Sequence, residues 1–194
     1  MNLVERVKNI IVQPRREWQV IDAESHSVQG LYTQYVMILA AIPAVCGFIG
    51  LSLIGIGIFG ATYHVPIAAG VAHMVVQYLM SLGVVYLFAL IIDALAPTFG
   101  SQKNFGQAIK VAAFMPTPAW LAGVFSLIPA LSIIGALLGL YSLYLLFVGL
   151  PMLMKTPADK AMPYAVVVVI AAIVISVVIT ALIGLTMPGP VRGF

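Results

Sequence analysis

Apolar residues gather into five long stretches of this chain, and the polar residues crowd into the gaps between them. The stretches run from Gln34 to Phe59, from Val71 to Ile92 with Asp93 closing it, from Gln107 to Phe125, from Ala130 to Leu153 and from Tyr164 to Thr186. Each is close to the roughly 20 residues that a helix needs to cross the hydrocarbon core of a bilayer. The pattern predicts an all-α polytopic membrane protein, a bundle of five transmembrane helices. The third stretch is the irregular one. Lys110 stands near its start, and its middle reads Ala113-Phe114-Met115-Pro116-Thr117-Pro118-Ala119-Trp120. Each proline removes a backbone donor, so a broken helix is expected here, with neighbouring protein satisfying the freed groups.

Ahead of the first stretch, Leu3, Val4, Val7, Ile10 and Ile11 repeat at spacings of three and four among Glu5, Arg6, Lys8 and Asn9. That is the pattern of a short amphipathic helix, expected in the membrane interface. Gln13-Pro14 interrupts it, and Arg15, Arg16, Glu17 and Trp18 begin a second helical turn. Two positions are open to Trp18, at headgroup level while the arginines meet anionic lipid or packed against the end of the bundle, and a dedicated partner site on this segment is the remaining reading. Residues 1–32 are read as a cytoplasmic interfacial segment, 33–187 as the membrane domain and 188–194 as a short external tail. The first segment carries Glu5, Glu17, Asp22 and Glu24 beside its arginines, and the apolar stretch after it exceeds a signal h-region, so it is expected to stay in the mature protein.

Composition excludes a water-soluble fold: 62% of the 194 residues are apolar and 8% are charged, against roughly a quarter charged in ordinary soluble domains. Five spans use nearly the whole chain and leave no room for a soluble catalytic domain. Cys46 is the single cysteine, so no intrachain disulfide forms. The net charge of +3 is spread over short loops without a basic stripe, which points away from nucleic acid. The placement of the basic residues sets an orientation instead. Arg6, Lys8, Arg15, Arg16, Lys103, Lys110, Lys155 and Lys160 fall on one side of the five spans, and Arg192 alone falls on the other. The amino terminus is therefore expected in the cytoplasm and the carboxyl terminus in the periplasm or outside. A re-entrant third stretch would instead move Lys155 and Lys160 outward.

No phosphate-binding loop, dinucleotide fingerprint, zinc-protease helix or nucleophile elbow is present, so neither enzymatic activity nor a cofactor is expected. His73 and Gln77 share one helical face, fit either for interhelical hydrogen bonding or for an ion, although metal chemistry needs three or four converging ligands. Asp93 sits at a helix end where the dipole disfavours an anion, so it calls for water or a basic neighbour such as Lys103 or Lys110. It is either hydrated or a functional membrane carboxylate. A cavity at the Pro116–Pro118 break would have to work through Thr117, backbone groups, Tyr141 or Tyr144. Gly135 and Gly139, with the glycines of the first stretch, allow close helix contact within one chain or between two.

Read in order, Pro14-x-x-x-Trp18 is followed by Phe105, Ala108, Ala112 and Ala113 leading into Pro116, Pro118 and Trp120. Tyr144, Gly149 and Leu150 come next, then Thr156-Pro157-x-x-Lys160-Ala161. This order resembles the Yip1 domain family, specifically a short bacterial inner-membrane member, with the likeness covering about residues 10 to 180. The resemblance implies five spans in the bacterial inner membrane. Eukaryotic relatives bind small GTPases and partner membrane proteins, but this chain lacks the long cytoplasmic region that precedes the domain in many of them, so GTPase binding is not carried over. The expected function is a non-enzymatic membrane protein that organises or binds other membrane components, its partners being lipid, a second copy or another membrane protein. The alternative is a small transporter or channel for an ion or solute. A water-filled path from the Pro116–Pro118 break to Asp93 would favour transport, and a dry core with a featured cytoplasmic groove would favour interaction.

Overall fold

The computed structural model describes residues 2–58, 61–128, 131–184 and 191–192. Two short helices, α1 (Leu3–Val12) and α2 (Pro14–Ala23), precede the first span. Asn2 caps α1 by accepting from the Glu5 amide, and Pro14, which has no N–H to lose, opens α2. The first span, Val28–Ile54, starts at α3 (Val28–Leu31) and continues through α4 (Met37–Phe48), with a π-helical stretch on each side of α4. It ends at Gly55, whose φ of 84° turns the chain into a small antiparallel hairpin, Ile56–Ile58 against Ala61–His64. Val191–Arg192 pairs on the second of these strands. The rest of the expected tail lies outside the described residues.

The second span is α5 (Ile67–Leu95), extended by a 3-10 turn to Phe99 and closed by Gly100 in the left-handed conformation. The third, Phe105–Leu127, is capped by Asn104 and comprises α6 (Phe105–Phe114), α7 (Thr117–Ala122) and a 3-10 turn. It breaks at Met115–Pro116, where the sequence places the first proline. The fourth and fifth are α8 (Ser132–Leu153) and α9 (Ala158–Gly184). The first span thus begins and ends about five residues earlier than its hydropathy suggests, because Ser27 caps it and Gly55 stops it.

Burial runs opposite to hydropathy. The fifth span has a mean hydropathy of 3.2 yet only 11% of its apolar window is buried, whereas the third has 1.3 and 67%. Lipid is the solvent for α9, while the others shield the broken, less apolar third span. Spans one and three meet at backbone distance: a side chain at Gly123 would collide with Pro43, and one at Gly50 with the Ser126 carbonyl. Tyrosines tie the spans crosswise. The hydroxyl of Tyr32 donates to the Leu82 carbonyl (2.9 Å), Tyr78 to Met37 (3.1 Å) and Tyr164 to Ile92 (2.5 Å), so each span's freed or bifurcated carbonyls help hold its neighbour.

Candidate functional site

Three segments far apart in sequence converge at the end of the bundle that carries α1 and α2. Arg6 shares the inward face of α1 with Leu3 and Ile10, three and four residues away, and only 6% of it is exposed. Its guanidinium donates to Glu17 of α2 (2.5 Å) and to both carboxylate oxygens of Glu24 (2.7 and 2.5 Å), and it stands 5.7 Å over the Phe114 ring. His26 lies 2.7 Å from Glu24. Burial alone would raise the Glu24 carboxyl, but hydrogen bonds from Arg6 and His26, with their charge, hold it below its ordinary range.

Lys110, near the start of the third span and 4% exposed, donates to the carbonyls of Ile21 (2.8 Å), Asp22 (3.3 Å) and Glu24 (2.8 Å). These lie at the end of α2, where carbonyls lack helical donors and a cation offsets the dipole. Asp22 completes the array by accepting from Lys155, in the loop before α9, and from the Gln107 amide (3.1 Å). Arg6, Lys110 and Lys155 thus meet Glu17, Glu24 and Asp22, three cations against three carboxylates.

Beneath this polar layer Trp18 is fully buried. Its indole meets Phe114 edge-on at 6.4 Å and lies flat on Gly149 of α8, where any β-carbon would overlap the ring. Phe114 also packs on Tyr35 (4.6 Å). The Tyr35 hydroxyl is 2.7 Å from that of Thr117, which donates to the Phe114 carbonyl (2.6 Å). That carbonyl is the one Pro118 leaves without its helical donor. A continuous line of contacts therefore joins the N-terminal helices to the break in the third span.

Of the two positions open to Trp18, the structure takes the packed one. Likewise Leu3, Val7, Ile10 and Ile11 cover the bundle rather than standing free, and Val4 and Val12 are what α1 leaves exposed. Asp93 is 9% exposed, and one of its oxygens is buried without a hydrogen bond. Among the described residues it pairs with no cation: Lys110, an expected partner, is spent on α2. The Nδ1 atom of His73 is buried and unpartnered, and no three potential ligands converge among the described residues. Tyr144 is exposed, with its ring against Tyr141, and Lys160 is exposed with its chain lying over Gly100.

A cavity of about 390 Å³ does lie beside Pro116, but its polar lining is Gln77, Ser81, Ser176 and Thr180 rather than Thr117, Tyr141 or Tyr144. Thr117 is enclosed, and Tyr141 donates to the Ile11 carbonyl (2.7 Å). Arg6, Glu17 and Glu24 escape a reading by charge because exposed-looking charges in a short terminal helix resemble a solvated face. The signal available was that Arg6 falls on the same face as Leu3 and Ile10.

A family model for the Yip1 domain matches residues 8–179. Two curated proteins, each described as Inner membrane protein YohC, are similar to this chain; one is from Escherichia coli strain K12 and the other from Escherichia coli O6:H1 strain CFT073. Each is 26% identical over 166 residues, covering 84% of this chain and 85% of the relative. No solved structure matches.

Proposed function

This chain belongs to the Yip1 domain family, and from that premise we propose that it is a non-enzymatic protein of the bacterial inner membrane that binds another membrane protein through the polar face of α1 and α2. The observation that carries the reading is the fixed array of Arg6, Glu17, Glu24, Lys110, Lys155 and Asp22. It holds two terminal helices rigidly on the bundle, and preorganisation of this kind lowers the cost of binding. Between α1 and α2 it leaves a polar groove of about 450 Å³ whose rim includes Glu5, Asn9, Gln13 and Arg16. The eight-to-one distribution of basic residues supports a cytoplasmic position for that groove, and the relatives' description supports the inner membrane.

The transport reading draws on the cavity beside Pro116. On the helix turn between that cavity and Asp93, however, Ala89 and Ile92 are fully buried, as is Tyr164 facing them. A dry layer favours interaction over passage.

Photoreactive side chains at Asn9, Gln13 and Arg16 in living cells are expected to give a discrete protein adduct that one at lipid-facing Val177 does not. The reading is overturned if all four positions label alike, or if the protein in liposomes supports ion flux that Asp93→Asn abolishes.

A further inference from the structure

Every polar side chain of α9 beyond Tyr164 lines one cavity. Those side chains are Ser176 and Thr180, one helical turn apart in the most apolar span of the chain. From α5 come Gln77 and Ser81, also one turn apart, and from the third span come Pro116 and Trp120. Four polar groups from two membrane-spanning helices therefore converge where the third helix breaks.

Their hydrogen bonding is incomplete in an instructive way. The Ser81 hydroxyl donates to the Tyr78 carbonyl (2.6 Å) and Ser176 to Ala172 (2.7 Å), so both protons are used within their own helices while the oxygens still accept. Gln77 has no hydrogen-bond partner among the described residues, although it sits ten residues into a 29-residue span. Pro116 also takes away the donor that the Ala112 carbonyl would have had, and Ala112 lines the same cavity. An amide without a partner at membrane depth is costly unless something in the cavity meets it. No charged residue lines it.

Beside the cavity is an apolar crevice between α8 and α9, walled by Leu143, Val169, Ile173 and Val177. The two spaces share Ala172, Ser176 and Thr180. A mostly apolar space holding four polar groups, next to a hydrocarbon-lined crevice, matches a molecule with one uncharged polar group and an alkyl tail.

We propose that the space beside Pro116 binds a neutral membrane amphiphile, with its hydroxyl or amide group on Gln77, Ser176 and Thr180 and its tail between α8 and α9. A hydroxyl suits the set: its oxygen accepts from the Gln77 amide, and its proton goes to the amide oxygen or to Ser176. An anionic or cationic headgroup finds no counter-charge there. This goes beyond the protein-binding reading, and the groove between α1 and α2 plays no part in it.

Trp120 lines the cavity and the other tryptophan, Trp18, is buried at the end of the bundle, so the difference in emission between wild type and Trp120→Phe reports the site. The probe is a long-chain alcohol brominated beside its hydroxyl, added to full-length protein in phosphatidylcholine vesicles. The Trp120 signal is expected to fall along a saturating curve. The matching brominated fatty acid anion and a bromoalkane should quench only in proportion to their content in the bilayer. Gln77→Leu should raise the half-saturating fraction of the alcohol about five- to tenfold, the effect of one lost hydrogen bond, with Trp18 emission unchanged. Should Gln77→Leu fail to insert, Ser176→Ala with Thr180→Val carries the same expectation. Proportional quenching by the alcohol, equal saturation by the anion, or an unchanged midpoint in the folded variant would each overturn the proposal.

Discussion

Replacing Arg6 by Leu removes the cation that buried Glu17 touches among the described residues. Breaking a buried pair from one side leaves an uncompensated charge, and about 3–5 kcal/mol of stability is the expected loss. Arg6→Leu with Glu17→Gln should recover much of it. Denaturant-induced unfolding in detergent micelles measures both, and near-equal stability of wild type and the single variant would deny the pair its structural role. Glu24 adds a pH dependence of defined sign. Its folded carboxyl lies below the ordinary value of 4.5, so it contributes stability above that pH and loses it as pH falls through the folded value. Thermal unfolding followed below pH 4.5 should show a steeper acid limb for wild type than for Glu24→Gln. The flattening is modest because the side chain is partly exposed.

At the scale of elements the third span shows what was legible and what was not. The two prolines predicted the break, and it falls at Met115–Pro116. Hydropathy could not reveal that Thr117 repairs it, because the Phe114 carbonyl and Tyr35 hydroxyl that Thr117 joins become neighbours only after the first and third spans pack. Thr117→Val keeps the shape and removes both bonds, and should cost about 1–2 kcal/mol. Thr117→Ser should cost far less. Equal melting temperatures for the two variants would show that the hydroxyl does not matter. The same limit applies to α1 and α2. Periodicity grouped Leu3, Val7, Ile10 and Ile11, which pack on the bundle, with Val4, which stays exposed, and that packing rests on partners more than a hundred residues away, as when Tyr141 donates to the Ile11 carbonyl. Asp93 lies in the last turn of α5, and Lys110, one of the basic neighbours considered for it, instead serves three carbonyls at the end of α2.

Across the whole molecule, the connections after α5 and after α8 meet at one end: the Gln102 amide donates to the Met154 carbonyl, and Ser101 donates to Thr156 at 2.7 Å. Lys155 reaches Asp22 at that same end. Five crossings require this arrangement, and a re-entrant third span would separate Lys155 from Asp22. Reporter tags at Met1, near Lys103 and near Pro157 are therefore expected to read cytoplasmic, and one after Phe194 periplasmic; a cytoplasmic carboxyl terminus would refute the topology. The buried seat of Trp18 also bears on how the chain is made. The first two helices leave the ribosome before any of the residues that receive them, since Phe114 and Lys110 belong to the third span, Gly149 to the fourth and Lys155 to the loop beyond it. Arg6 can meet Glu17 and Glu24 within the emerging segment, but Trp18 has no seat until Phe114 and Gly149 have been synthesised, so closure of the amino-terminal helices onto the bundle is a late event in biogenesis.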